Sequence, residues 1–245
     1  MKELFPGLRQ STDIASDGES STIFVVGDGE DIALVDSGPA SRYQVLKAEL
    51  VRSGIDPADV KDMYITHGHS DHYESVALFR RDGYMPDVYI GEADRRAVEK
   101  GEYFGTAGFF YGKHTLPVAE TFTISNGYER RFGSVMLRAV EAPGHTPGSM
   151  AYVLENDGLR VGLLGDLGWG GWHPLIGSDF TKWEESVDTL QGLDLTHVSF
   201  GHGPTRLIEA KPHLHKLRQQ IGKYANAYDN IPASNFNPET AKPSE

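Results

Sequence analysis

The sequence contains no cysteine, which excludes a disulfide framework, a thiolate nucleophile and a thiolate metal site. Any metal bound by this chain must be held by imidazole and carboxylate. Basic residues are the minority, 23 Lys and Arg against 35 Asp and Glu, and the formal net charge of −12 repels phosphate backbones and anionic lipid surfaces. No basic patch offsets that charge, because Arg95-Arg96 and Arg130-Arg131 are isolated pairs that read as solvated surface. Nucleic acid and membrane are therefore not expected as partners. Long apolar runs are missing as well: no segment approaches a membrane span, and residues 1–17 lack the apolar core of a secretion signal. The expectation is a cytoplasmic protein acting on a small molecule, with a homodimer left open.

What is present suits one α/β unit. A hydrophobic fraction of 39% supports a substantial core, and 28 glycines imply many turns. We read residues 1–229 as a single catalytic domain and 230–245, rich in Asn, Pro, Ser and Glu, as a polar and flexible tail. After a polar start, the runs 21–26 and 31–35 flank Gly27-Asp28-Gly29 as a hairpin. A helix is expected over 41–53, where Tyr43, Leu46, Leu50 and Val51 recur at helical spacing. Strand and helix then alternate: strands over 62–66 and 87–90, helices over 73–81 and 92–100. Residues 101–117, with Tyr103, Phe104, Phe109, Phe110 and Tyr111, read as a loop or short helix that either covers a pocket or plugs the surface. Strands are expected over 120–124, 128–132, 134–140, 150–154, 160–164 and 196–200, a helix over 181–190, and a long helical tail over 204–228.

The chemistry concentrates in Thr66-His67-Gly68-His69-Ser70-Asp71-His72, three imidazoles and a carboxylate on a strand-to-helix loop. In extended alternation His67 and His69 can face one ion, while Asp71 and His72, at the turn into the helix, face another. The competing reading is ordinary capping of a helix start by polar residues. Three glycine-flanked candidates follow at the ends of apolar strands: Gly144-His145, Gly165-Asp166 and Gly201-His202-Gly203. Each alone is a common turn pattern. Together with the loop they form a set that borderline-soft divalent ions prefer.

In this order of motifs, over roughly residues 23–202, the chain resembles the metallo-β-lactamase superfamily. The resemblance implies a four-layer αβ/βα sandwich with two facing mixed β-sheets. It also implies two divalent ions, zinc by default with iron or manganese as alternatives. His67, His69 and His145 would hold the first, Asp71, His72 and His202 the second, and Asp166 would lie between them. Within the superfamily the chain is more similar to glyoxalase II, lactonase and thioesterase-like hydrolases than to those β-lactamases that carry cysteine where Asp166 stands. The implied reaction is attack of a metal-bridging hydroxide on an ester, thioester or lactone carbonyl, with Asp71 passing a proton to the leaving group. Trp169, Trp172 and His173 are candidates for the substrate wall. The alternatives are a mononuclear iron persulfide dioxygenase, a β-lactamase and a small-phosphodiester hydrolase.

Overall fold

The computed structural model describes residues 1–13, 20–28, 31–168, 171–223 and 226–243. Seven strands form the first sheet in chain order: β1 (Lys2–Phe5), β2 (Leu8–Gln10), β3 (Phe24–Val26), β4 (Ile32–Val35), β5 (Val60–Tyr64), β6 (Asp87–Gly91) and β7 (Phe122–Ile124). The first four pair antiparallel and the last four parallel, joined through β4. The parallel half needs crossovers, supplied by α1 (Tyr43–Arg52), then α2 (Ser70–Tyr73) and α3 (Ser75–Arg81), then α4 (Glu92–Lys100). The second sheet comprises β8 (Glu129–Phe132), β9 (Val135–Glu141), β10 (Met150–Asn156), β11 (Leu159–Leu163), β12 (His197–Ser199) and β13 (Ile208–Glu209), in the order β13-β12-β11-β10-β9-β8. Only β11 and β12 pair parallel there, and α6 (Phe180–Gln191) makes that crossover before α7 (Ala210–Gln220) closes the fold.

Period-two alternation sends successive side chains of each central strand into different cores. In β10, Met150, Tyr152 and Leu154 pack between the sheets, while Ala151 and Val153 pack outward beneath α6 and α7. In β4, Ala33 and Val35 face the other sheet, and Ile32 and Leu34 face α1 and α3. Both sheets are thus covered on both faces, giving the four αββα layers of the expected sandwich. Among the described residues no helix is long and apolar enough to cross a membrane.

One buried carboxylate, in the first sheet, opposes folding. Asp62 of β5 is buried, with Arg130 at 3.1 Å. Burial pushes its carboxyl up to about 6, and Arg130 only partly counters this. Between its ordinary value and 6 the folded chain binds more protons here than the unfolded one, so stability falls as pH rises through that window and the full penalty persists above it. Asp62→Asn should therefore stabilise the protein at pH 7.5 by about 1 to 3 kcal/mol. Urea unfolding should show the gain shrinking towards pH 4.

Three segments depart from the sequence expectations. The polar start is a hairpin, β1 and β2, turned by Pro6-Gly7 with Gly7 at φ +82°. The long helical tail is confined to Ala210–Gln220, since Ile208 and Glu209 join the sheet edge and Gly222 stops the helix at φ +74°. Beyond it, where composition suggested a flexible tail, the described residues of 226–243 fold back over residues 103–114. Tyr228 stacks on Phe109 at 5.5 Å, Tyr103 donates to the carbonyl of Asn235 at 2.7 Å, and Lys242 N–H donates to Gly112 at 2.9 Å. A few apolar anchors, Tyr228 and Ile231 among them, outweigh the polar average.

Candidate metal centre

Parallel strands deliver the candidate ligands to one edge of the sandwich. β5 runs parallel to both neighbours, and the chain leaves its C-terminal end through Ile65 and Thr66 into His67. That exit is pinned to the opposite sheet: Met150 N–H donates to Thr66 O at 2.7 Å, and Tyr152 hydroxyl to Ile65 O at 2.8 Å. Asp166 and His202 follow the ends of parallel β11 and β12, and Gly201 N–H holds the two exits together by donating to Gly165 O at 2.6 Å. His145 lies on the β9–β10 connection. Asp94, in the first turn of α4, sews that connection to the His67–His69 loop by accepting from Gly68 N–H, Gly148 N–H and Thr146 Oγ1 at 2.8, 2.8 and 2.6 Å. A Cβ at Gly148 would meet the Asp94 carboxylate at 2.6 Å, so glycine is what permits the close approach.

All seven residues singled out in the sequence converge. The candidate ligand atoms of His67, His69, His145 and Asp166 lie within 4.8 Å of one another, as do those of Asp71, His72 and His202. Asp166 joins the two groups. Its Oδ2 lies 3.6 Å from His145 Nε2 and 3.3 Å from His202 Nε2, and its Oδ1 lies 3.3 Å from His72 Nε2. Asp71 Oδ2 is 3.2 Å from His202 and 3.4 Å from His72.

Burial holds His67, His69 and His145 below the ordinary imidazole range and so leaves them neutral. It pushes the Asp166 carboxyl up, but His202 and His72 together hold it well below the usual carboxylate range. Asp71 is held low by the same two rings. Burial pulls down His72 and His202 in turn, yet the surrounding carboxylates raise His72 well above its ordinary value and His202 to about 10. These two protons supply the positive charge that the carboxylates demand, and a cation would compete with them. The donor set fits a cation on a second count: His67 Nε2, His69 Nε2, His72 Nε2 and Asp166 Oδ1 are all buried without a hydrogen bond of acceptable geometry. Four such orphans side by side would cost several kcal/mol, roughly 1 to 3 each, unless something coordinates them.

Asp36 is not among the residues that the sequence motifs single out. Its Oδ2 accepts from His72 Nδ1 at 2.7 Å and from Thr66 Oγ1 at 2.9 Å, and its Oδ1 accepts from Thr66 N–H at 2.7 Å. The first of these bonds fixes the tautomer that turns His72 Nε2 towards the cluster. Asp36 holds this place at φ +60°, a left-handed conformation that Asp tolerates better than most residues. Asp36→Asn should reduce metal affinity or activity about 10- to 100-fold. Metal titration against a chelator and kcat/KM, with an unchanged circular dichroism spectrum, would check it.

The candidates for the substrate wall are dispersed. Trp169 lies outside the described residues. Trp172 stacks on Phe180 at 5.1 Å and packs with the α6–α7 core, so its ring serves the fold. His173 lies 5.1 Å from Phe109 and 5.7 Å from Tyr228, in an aromatic cluster of its own. That cluster is built on the segment that reads as loop or short helix, α5 (Gly108–Tyr111), and it includes Tyr103 and Phe109. Beside that cluster, which plugs the surface, Tyr111 lines the same cavity as Asp71.

Buried neutral imidazoles, two carboxylates kept ionised, and polar atoms aimed at common points define a metal-dependent hydrolase centre on an αββα scaffold. The chain belongs to the metallo-β-lactamase superfamily, whose sequence model matches residues 16–202. Among curated relatives, "Probable metallo-hydrolase MJ0888" of Methanocaldococcus jannaschii is 26% identical over 190 residues, 76% of this chain and 89% of that one. Exodeoxyribonuclease YycJ of Bacillus anthracis is 24% identical over 64% of this chain, which spans 54% of that relative's length. Among solved structures, the subclass B3 metallo-β-lactamase BJP-1 of Bradyrhizobium japonicum superposes with a TM-score of 0.72 at 17% identity, covering 90% of each chain. A B3 enzyme described as having an active-site glutamic acid gives 0.73, also at 17%, over 89% of this chain and 87% of that one.

Proposed function

We propose that this protein is a dinuclear hydrolase that cleaves an ester, thioester or lactone of a small molecule in the cytoplasm. The observation that carries the reading is the span of Asp166, whose two oxygens address both halves of one buried cluster. In this reading His67, His69 and His145 would hold one cation and Asp71, His72 and His202 the other, with Asp166 available to either group. Two divalent cations there, zinc with iron or manganese as alternatives, would supply a water activated at neutral pH and Lewis-acid polarisation of a carbonyl. The chain's own part is to exclude bulk water and to manage a proton. Asp71 stays ionised and faces a cavity that Tyr111 also lines, so it is placed to take a proton from the attacking water and return it to the leaving group.

The test is metal analysis of protein purified without added metal, followed by turnover of chromogenic lactones, thioesters, esters and β-lactams. Two metal equivalents per chain and ester-class turnover are expected. One iron per chain with oxygen uptake on glutathione persulfide would replace the reading with a dioxygenase. A second reading, phosphodiester hydrolysis, is favoured by the exodeoxyribonuclease names among the relatives. The net charge of −12 opposes a polyanionic substrate, and faster turnover of bis-p-nitrophenyl phosphate than of any ester would decide for it.

A further inference from the structure

The cavity beside Asp71 has a volume of about 240 Å³, and its lining includes Ser70, Tyr111, Lys113 and Lys242. Two lysines therefore line a cavity whose one acidic lining residue, among the described residues, is Asp71, in a chain of strongly negative net charge. Their closeness is built by the backbone. Lys113 and Lys242 oppose each other across an isolated parallel bridge, fixed by Lys242 N–H to Gly112 O at 2.9 Å and His114 N–H to Lys242 O at 2.8 Å. Like charges directly opposed at a bridge are destabilising, so the arrangement calls for a compensating anion.

Half of that compensation is visible. Lys113 Nζ lies 3.4 Å from Glu74, a buried carboxylate that also accepts from Leu116 N–H at 2.9 Å and Ala40 N–H at 3.3 Å. Lys113 also sits over the Tyr111 ring at 5.7 Å. Among the described residues no carboxylate forms an ion pair with Lys242, and Asp71 is the acidic residue that shares its cavity lining. We propose that this cavity is an oxyanion subsite, which selects substrates bearing a carboxylate or phosphate remote from the scissile bond, with Lys242 as its specificity residue. An ammonium is a point charge without the planar fork of a guanidinium, so it accommodates either oxyanion.

The word substrate rests on the hydrolase reading, but anion binding does not, and the experiment separates the two. Metal-free protein is titrated calorimetrically with glutarate and with glycerol 3-phosphate. At least one should bind, the tighter identifying the preferred oxyanion, and Lys242→Glu should weaken it by about tenfold or more. Lys242→Gln, which removes the charge without inverting it and keeps the backbone pairing, should fall between. Failure of both anions to bind, or equal affinity in all three proteins, overturns the subsite and would mean that any anion is held by the histidines. In the zinc-loaded enzyme, kcat/KM for mono-p-nitrophenyl glutarate relative to p-nitrophenyl acetate should exceed unity. That ratio should fall about tenfold in Lys242→Glu, and an unchanged ratio overturns the subsite as a specificity element. Absence of turnover of both esters would instead count against ester hydrolysis, and the calorimetry alone would then decide the subsite.

Discussion

Asp166→Ala should lower kcat/KM by about a thousandfold or more and reduce bound metal to one equivalent per chain or fewer. The magnitude follows from what the residue joins. Its Oδ2 addresses His145 and His202 and its Oδ1 addresses His72, so this one carboxylate reaches both groups. Loss of a ligand to one cation would leave the partner site intact, whereas loss of this carboxylate also removes the charge that balances a pair of dications. Effects of groups that act as a unit are strongly non-additive. Asp166→Ala combined with His145→Ala should therefore be little worse than Asp166→Ala alone. Metal content by plasma emission and kcat/KM on the best ester would check both statements. Wild-type activity with full occupancy in either variant would remove Asp166 from the centre.

The second large effect is expected from a residue with no side chain. Gly201→Ala would place a Cβ 2.2 Å from Asp166 Oδ1 and 2.8 Å from the His72 ring. Neither neighbour can retreat easily. Gly201 N–H donates to Gly165 O at 2.6 Å and its carbonyl accepts from Thr22 at 2.5 Å, while His72 is locked to Asp36 on its far side. The collision must then be relieved by rotating the Asp166 carboxylate out of place. Overpacking of this kind costs about 1 to 3 kcal/mol, so the variant should fold with a lower urea midpoint. Its activity should fall about a hundredfold or more, because misplacement by about 1 Å can cost that much. Activity near wild type would mean that the backbone at this turn yields more readily than its hydrogen bonds imply.

How much was legible in the sequence depended on how rare each residue's bland role is. Three imidazoles and a carboxylate within six positions have few structural uses, so the His67–His72 loop could be read directly. His145, Asp166 and His202 became legible only through their glycines and their order. Asp36 and Asp94 were passed over because an Asp in a turn, or in the first turn of a helix, ordinarily caps the backbone. Here each holds ligand-bearing loops. Trp172 illustrates the converse: proximity to Asp166 in sequence cannot say which face of a loop an indole takes, and its face is the helical core. Lys242 lay beyond reach altogether, since only the return of the chain over residues 103–114 brings the far C-terminal region to the cavity. The strands and helices of the middle of the chain were readable because period-two and helical spacing were clean there. The hairpin of β1 and β2 hid behind a polar average, despite its Pro-Gly signal.

The division of the ligand set between the two sheets has a mechanical corollary. Four of the seven side chains leave the sheet that carries β5, and three leave the sheet of β9 to β12. Any ion seated among them fastens the two halves of the molecule together at one rim. The sandwich then cannot part at that rim without surrendering its cargo, so occupancy and global unfolding become linked through mass action. Neither half alone retains a complete coordination sphere, and catalytic competence would therefore track the integrity of the whole fold.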